Sequence, residues 1–312
     1  MEYIYLLICL GAIVVSADWL VAGAVTIAKR FRISDFVIGA VIVGVGTSFP
    51  ELVVSSIGAL NGSADIAIGN VVGSNIFNVL GILGLTAIIM PVAVSRENMR
   101  FDLPFCIGVS VVASLLAFNF FMGGESIIGR FDGLVLLSFF ALFMYLSLRG
   151  SQDNTVSDEV ITNRALALGV GKVVLGLGGL VVASNLFLDN AIAIAQAWGV
   201  NEAFISITLV ACGTSFPELA ASLVAATKKN TQLALGNIIG SNIFNLSFIL
   251  GVSSQITPLT NSGITMIDYA VMIFAAVVPL LLGFKGKLNR LSGVFMLVCF
   301  VAYNAYLLST QM

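Results

Sequence analysis

The sequence contains no histidine. That absence removes the commonest transition-metal ligand and the side chain that most readily carries a proton near neutral pH. A metal site in this chain must therefore be built from oxygen. Charge is scarce as well: Asp, Glu, Lys and Arg make up 10% of the 312 residues, against roughly 25% in soluble domains. Cys9, Cys106, Cys212 and Cys299 stand singly within apolar runs, a spacing that offers neither a disulfide framework nor a zinc site; they read as small buried hydrophobes. No nucleophile and base pair and no phosphate-binding loop can be found, which argues against an enzyme and leaves no cofactor to expect. Nothing supports nucleic-acid binding, and no protein partner is evident.

What is abundant is hydrocarbon. Hydrophobic residues account for 59% of the chain, with a mean hydropathy of +1.07, so its expected partner is the lipid bilayer. Apolar segments recur at 2–28, 36–60, 64–90, 101–122, 131–148, 165–197, 203–227, 231–257, 264–284 and 291–309. Most reach the roughly 20 residues that cross a bilayer as helix. A barrel would need alternating strands of about ten residues, and unbroken runs such as "LVLLSFFALFMYLSL" do not alternate. The expected fold is an all-α integral membrane protein of ten transmembrane helices. The N-terminus lacks a basic leader and reads as the first span, and the polar stretch 149–164 reads as a cytoplasmic linker between halves 1–148 and 165–312.

The halves are copies. "GTSFPE" occurs at Gly46–Glu51 and again at Gly213–Glu218, an offset of 167, and at the same offset "GNVVGSNIFNVLGILG" matches "GNIIGSNIFNLSFILG" at 11 of 16 positions. Five spans per copy, an odd number, require the second copy to enter the membrane from the opposite side. The charges agree: Lys29, Arg30 and Arg32 have uncharged counterparts in the second copy, while Lys228 and Lys229 replace Asn61 and Gly62. With both termini outside, 12 of the 14 Lys and Arg fall in cytoplasmic connections, as basic residues prefer. Inverted repeats are a transporter architecture, with the site expected near mid-membrane where broken helices meet.

Glu51 and Glu218 lie near the middle of the second and seventh spans, where a lone carboxylate costs several kcal/mol. Pro50 and Pro217 free the carbonyls of Gly46 and Gly213, and Thr47, Ser48, Thr214 and Ser215 add hydroxyls beside them. Two facing copies form a hard-cation cage, which suits Ca²⁺ better than Mg²⁺ and could hold Na⁺ at several positions. Asn70, Ser74 and Asn78 share one helix face, as do Asn237, Ser241 and Asn245. Helix packing competes with ion coordination as the reading of these stripes. Packing is favoured for Asn70 and Asn237, coordination for Ser74, Asn78, Ser241 and Asn245, and a structural role for the off-stripe Asn75 and Asn242. Asp18 is expected to be held by a polar neighbour or a vestibule, and Asp132, Glu202 and Asp268 to be solvated at span ends.

Paired GTSFPE and GSNIFN motifs in an inverted repeat resemble the alpha-repeats (about 36–90 and 203–257) of the sodium/calcium exchangers, within the cation/calcium exchanger superfamily and nearest its short prokaryotic members. The resemblance implies secondary active exchange of Na⁺ for Ca²⁺ across the cell membrane, with no cofactor beyond the transported ions. It implies a core of spans two, three, seven and eight, across which the first and sixth slide. Glu51 and Glu218 would hold Ca²⁺ with the carbonyls of Thr47 and Thr214. Ser48, Ser215, Ser74 and Ser241 would serve Na⁺, Asn78 and Asn245 would line the centre, and the carbonyls of Gly44 and Ala211 would flank it. An aspartate often stands at the Asn245 position in relatives that move K⁺, so K⁺ transport is not expected. An H⁺/Ca²⁺ antiporter and a passive cation channel remain the alternatives.

Overall fold

The computed structural model describes residues 2–119, 126–150, 161–197, 213–261 and 263–311. Among these, the expected helices form as α1 (Glu2–Phe31), α2 (Asp35–Thr47), α3 (Phe49–Leu60), α4 (Ala64–Ile89), α5 (Asn98–Ala117), α6 (Arg130–Gly150), α7 (Asn163–Ala197), α8 (Phe216–Thr227), α9 (Thr231–Ile256), α10 (Met266–Leu282) and α11 (Arg290–Gln311). Among the described residues, eight helices are long and apolar enough to cross a membrane, and the bent pair α2–α3, counted as one span, makes nine. The protein is an all-α, multi-pass membrane protein. Of the seventh apolar segment, 203–227, only the second half (α8) lies within the described residues.

Burial sorts these helices into a core and a periphery. In the most apolar stretch of α9 94% of residues are buried, and in that of α4 72%, against 22% for α6 and α7 and 17% for α11. A helix apolar all round and covered by other helices is a core element; one apolar but uncovered faces lipid. In lipid no hydrophobic force drives helices together, so close packing must do so, and small residues permit it. Along α2 and α9 the backbones nearly touch: Phe36 faces Gly236, Ala40 faces Gly240, and Gly44 faces Asn237 and Ser241. The numbers rise together, so these two helices run parallel. On the periphery α1 and α7 pair along Gly23 with Gly169, Leu20 with Gly176, and Ser16 with Gly179. Here one number rises as the other falls, and the helices run antiparallel. Against the core, α7 packs through Leu177 on Gly46, Leu188 on Gly213 and the edge-on rings of Phe187 and Phe216, 5.4 Å apart, and α1 through a buried cluster that joins Ala17, Leu20 and Ala24 to Ala221 and Ala225 of α8.

Two short antiparallel strand pairs tie the connections at opposite ends of the bundle. At one end Val92–Ala93 (β1) pairs with Lys287–Leu288 (β4), and Thr231 and Gln232 both hydrogen-bond to Ala93. At the other, Ile127–Ile128 (β2) pairs with Leu259–Thr260 (β3), and Asp65 accepts from the backbone of Gly263. The first end gathers the connections bearing Arg96, Lys228, Lys229, Lys285 and Lys287, whereas Arg130 follows β2 at the second.

Three secondary expectations meet definite outcomes. Asp18 is held by Lys228, Nζ to Oδ1 2.6 Å. Asp268 is not solvated: it is 7% exposed, closes a capping box with Thr265 and accepts from Tyr303 Oη at 2.7 Å, so a local cap takes the place of water. Cys9 and Cys106 are buried, but Cys299 is half-buried on α11; Cys212 and Glu202 fall outside the described residues.

Candidate ion site at the crossed helix breaks

The break expected from Pro50 is present. Helices α2 and α3 meet at 46°, with Ser48 at φ −84° and ψ 10° as the pivot. Ser215 repeats the conformation at φ −90° and ψ 11° before α8. Proline in the first turn sacrifices no helical hydrogen bond, so the chain restarts a helix with the glutamate in its opening turn. Glu51 and Glu218 therefore sit where unpaired backbone N–H groups carry partial positive charge, which favours an anion. On the other side of the first break, α2 ends with carbonyls directed at the gap, the arrangement that serves cations in broken-helix sites.

The two copies cross. Ser48 donates to Glu218 Oε1 at 2.7 Å, and Ser215 donates to Glu51 Oε1 at 3.0 Å. Each serine lies three residues before its own glutamate, one turn along the same face, so the two carboxyl groups are brought within about a helical turn of each other. Both glutamates are fully buried. The supporting bonds repeat in both copies, the asparagine bonds within a copy and the threonine bonds between copies. Asn70 Nδ2 donates to Glu51 O and Ser55 Oγ, and Asn237 Nδ2 donates to Glu218 O and Ser222 Oγ. Thr47 Oγ1 donates to Asn237 Oδ1, and Thr214 Oγ1 to Asn70 Oδ1. Asn70 and Asn237 thus spend their carboxamides on holding the starts of α3 and α8 in place. The threonine hydroxyls are likewise engaged, which leaves their carbonyls as the groups they can offer.

Further along α4 and α9 the backbone widens into π-helical turns, Phe77–Leu83 and Phe244–Ile249, again 167 residues apart. Such turns recur at functional sites because they displace a side chain from the regular spiral. Asn78 and Asn245 sit in them, fully buried. Ser241 donates to Gly44 O at 3.1 Å, a carbonyl that also accepts from Thr47 Oγ1 and Ser48 N. Ala211 lies outside the described residues.

What remains is a set of oxygens with no donor. Of ten buried side-chain atoms without a hydrogen-bond partner among the described residues, five belong to the repeated motifs: Glu51 Oε2, Glu218 Oε2, Asn78 Oδ1, Asn245 Oδ1 and Ser74 Oγ. A buried acceptor without a donor costs about 1–3 kcal/mol, and more if charged. Five within one repeated pair of motifs mark a place built for something electron-poor. The described residues hold no group of three or more His, Cys, Asp or Glu, so the carboxylate pair and neutral oxygens are what the site offers, which is hard-cation chemistry. Asn75 and Asn242, read from sequence as structural, bond directly to the Asn78 and Asn245 carboxamides.

A family profile described as "Sodium/calcium exchanger protein" matches residues 1–149 and 168–309. The chain belongs to the sodium/calcium exchanger family. This exchanger-family chain is 37% identical to a putative antiporter, CaxA, of Alkalimonas amylolytica, with 98% of each chain covered. It is 31% identical to the sodium/calcium exchanger MaX1 of Methanosarcina acetivorans, over 97% of each. It superposes on the sodium-calcium exchanger NCX_Mj, soaked with Na⁺ and Ca²⁺, with a TM-score of 0.85 at 30% identity, covering 97% of both chains. Membership makes it a membrane transporter of the cation-exchanging class and not an enzyme.

Proposed function

We propose that this exchanger-family protein moves Ca²⁺ in one direction against Na⁺ in the other, through one shared site that opens alternately to the two sides. The observation that carries the reading is the crossed pair of glutamates, each keeping one buried oxygen without a donor, as do Asn78, Asn245 and Ser74 of the same motifs. Glu51 and Glu218 with the carbonyls of Thr47 and Thr214 would hold Ca²⁺. Na⁺ ions would use the same carboxylates with Ser48, Ser215, Ser74 and Ser241. Asn78 and Asn245 would line the centre, and the carbonyls of Gly44 and Ala211 would flank it. In this reading residues 1–148 and 165–312 are inverted five-span repeats joined by the linker 149–164, ten spans in all. The end bearing Lys228, Lys229, Lys285 and Lys287 is cytoplasmic, both termini lie outside, and the membrane is the cell membrane.

Obligatory exchange follows from charge. An empty site carries two carboxylates in a low-dielectric interior, and sealing it from water on both sides leaves them unpaired at a cost of several kcal/mol. A Ca²⁺ ion, or Na⁺ ions in its place, cancels that charge and lets the closed state form. The paired helices α1 and α7, packed mainly on each other, are the element that would slide across the core of α2, α3, α4, α8 and α9.

Purified protein in liposomes is expected to accumulate Ca²⁺ when an outward Na⁺ gradient is imposed and not when K⁺ replaces Na⁺. Uptake driven by a proton gradient with Na⁺ absent would instead establish H⁺/Ca²⁺ antiport. Ca²⁺ flux with no counter-ion gradient, at rates far above a carrier's, would establish a channel.

A further inference from the structure

A carboxamide has an acceptor end and a donor end of nearly equal size, and only the acceptor end can face a cation. Something must decide which end Asn78 and Asn245 present. The hydrogen bonds around them do so without ambiguity. Asn242 Nδ2 donates to the backbone carbonyl of Asn75 at 3.2 Å, and Asn75 Nδ2 donates to the backbone carbonyl of Asn242 at 3.4 Å. A carbonyl only accepts, so both of these carboxamides must point nitrogen toward the partner backbone and oxygen away. Those oxygens then accept from Asn78 Nδ2 at 3.0 Å (Asn242 Oδ1) and from Asn245 Nδ2 at 3.3 Å (Asn75 Oδ1). With their nitrogens taken, Asn78 and Asn245 direct their Oδ1 atoms elsewhere, and both are buried without a donor.

We infer that Asn75 and Asn242 are positioning residues, a reciprocal lock between α4 and α9 that holds the carboxamides of Asn78 and Asn245 oxygen-first toward the transported ion. The inference rests on the reading that Asn78 and Asn245 face the ion. The lock runs between the repeats: Asn78 of the first copy is oriented by Asn242 of the second, and Asn245 by Asn75. Both locking residues are buried, at 1% and 2% exposure, so water does not compete for their groups. Without the lock each central carboxamide is free to turn over and present N–H groups to the cation, converting attraction into repulsion. A serine or threonine ligand needs no such device, because its hydroxyl rotates to suit its partner.

The test uses Ca²⁺ itself as the probe and reads the rise in melting temperature of the purified full chain during Ca²⁺ titration in Na⁺-free buffer at constant pH, so that no counter-ion gradient or competitor enters the readout. Asn242→Leu removes the acceptor, and is expected to raise half-saturating Ca²⁺ by about tenfold or more. In an Asn78→Asp background the same substitution is expected to change it less than about twofold, since a carboxylate presents an oxygen whichever way it turns. Asn75→Leu against Asn245→Asp is expected to repeat the pattern. Where Asn242→Leu does not assemble, Asn242→Ala removes the same acceptor without added bulk and is read in the same way. Equal weakening in both backgrounds would overturn the lock and leave Asn242 a packing residue. If Asn78→Leu leaves half-saturation unchanged, the assignment of Asn78 to the ion site fails instead; weakening by Asn78→Leu with none by Asn242→Leu defeats the lock alone.

Discussion

Replacing either glutamate by its amide, Glu51→Gln or Glu218→Gln, is expected to abolish Ca²⁺ uptake into proteoliposomes. In the proposed reading each substitution removes one of two buried charges that would face the same ion and leaves the other without an equal. Removing one member of a buried ionic group costs about 3–5 kcal/mol, which corresponds to roughly two to three and a half orders of magnitude in affinity. The amide keeps the size of the side chain, so the folded protein is expected to survive and its melting temperature without Ca²⁺ to hold or rise, because an uncompensated pair of carboxylates opposes folding. Because each hydrogen bond of one copy has its counterpart in the other, the two variants are expected to fail together. Full uptake by either variant would remove that glutamate from the site.

The second large effect concerns assembly. At Gly240 a Cβ atom would fall within van der Waals exclusion of the Cα and carbonyl oxygen of Ala40, and at Gly236 it would meet the carbonyl oxygen of Phe36. These obstacles are backbone, which no rotamer change can move aside. Gly240→Val is therefore expected to push α9 off α2 at the place where Ser241 reaches Gly44 O, and overpacking of this kind costs about 1–3 kcal/mol or more. The measurement is the yield of monodisperse protein in detergent, expected to collapse for Gly240→Val. The same substitution at Gly11, where a Cβ would meet nothing within 4 Å, is expected to leave the yield unchanged.

The sequence made the ingredients of the site legible and left its wiring hidden. An offset of 167 with two motif copies identified Glu51, Glu218, Ser48, Ser215, Asn78 and Asn245 as candidates, because a carboxylate placed twice inside hydrocarbon is too costly to keep unless a cation or a strong donor meets it. For Asn70 and Asn237, on the same stripes, the sequence favoured packing, and their carboxamides bond to the backbone and serines of α3 and α8. Which copy serves which was not: Ser48 bonds the glutamate of the other repeat, and sequence proximity points to its own. The π-helical turns at Asn78 and Asn245 carry no local signature, since they arise from how α4 and α9 pack and not from the propensity of "FNVLGIL" or "FNLSFI". Asn75 and Asn242 stand one residue beyond Ser74 and Ser241, about 100° around the helix from the polar stripe, and their bonds to Asn245 and Asn78 of the opposite copy depend on how α4 and α9 meet. Asp268 looked like a solvated end residue because its burial depends in part on Tyr303, a partner 35 residues away.

Central to the proposed mechanism is that Na⁺ and Ca²⁺ would occupy one site built by the two glutamates. Equilibrium ⁴⁵Ca²⁺ binding to the purified protein, measured as Na⁺ is raised at constant ionic strength with K⁺, tests this most directly. Na⁺ is predicted to displace all bound Ca²⁺, with a dependence steeper than first order because more than one Na⁺ takes the place of one divalent ion. Ca²⁺ that stays bound at saturating Na⁺ would contradict a shared site.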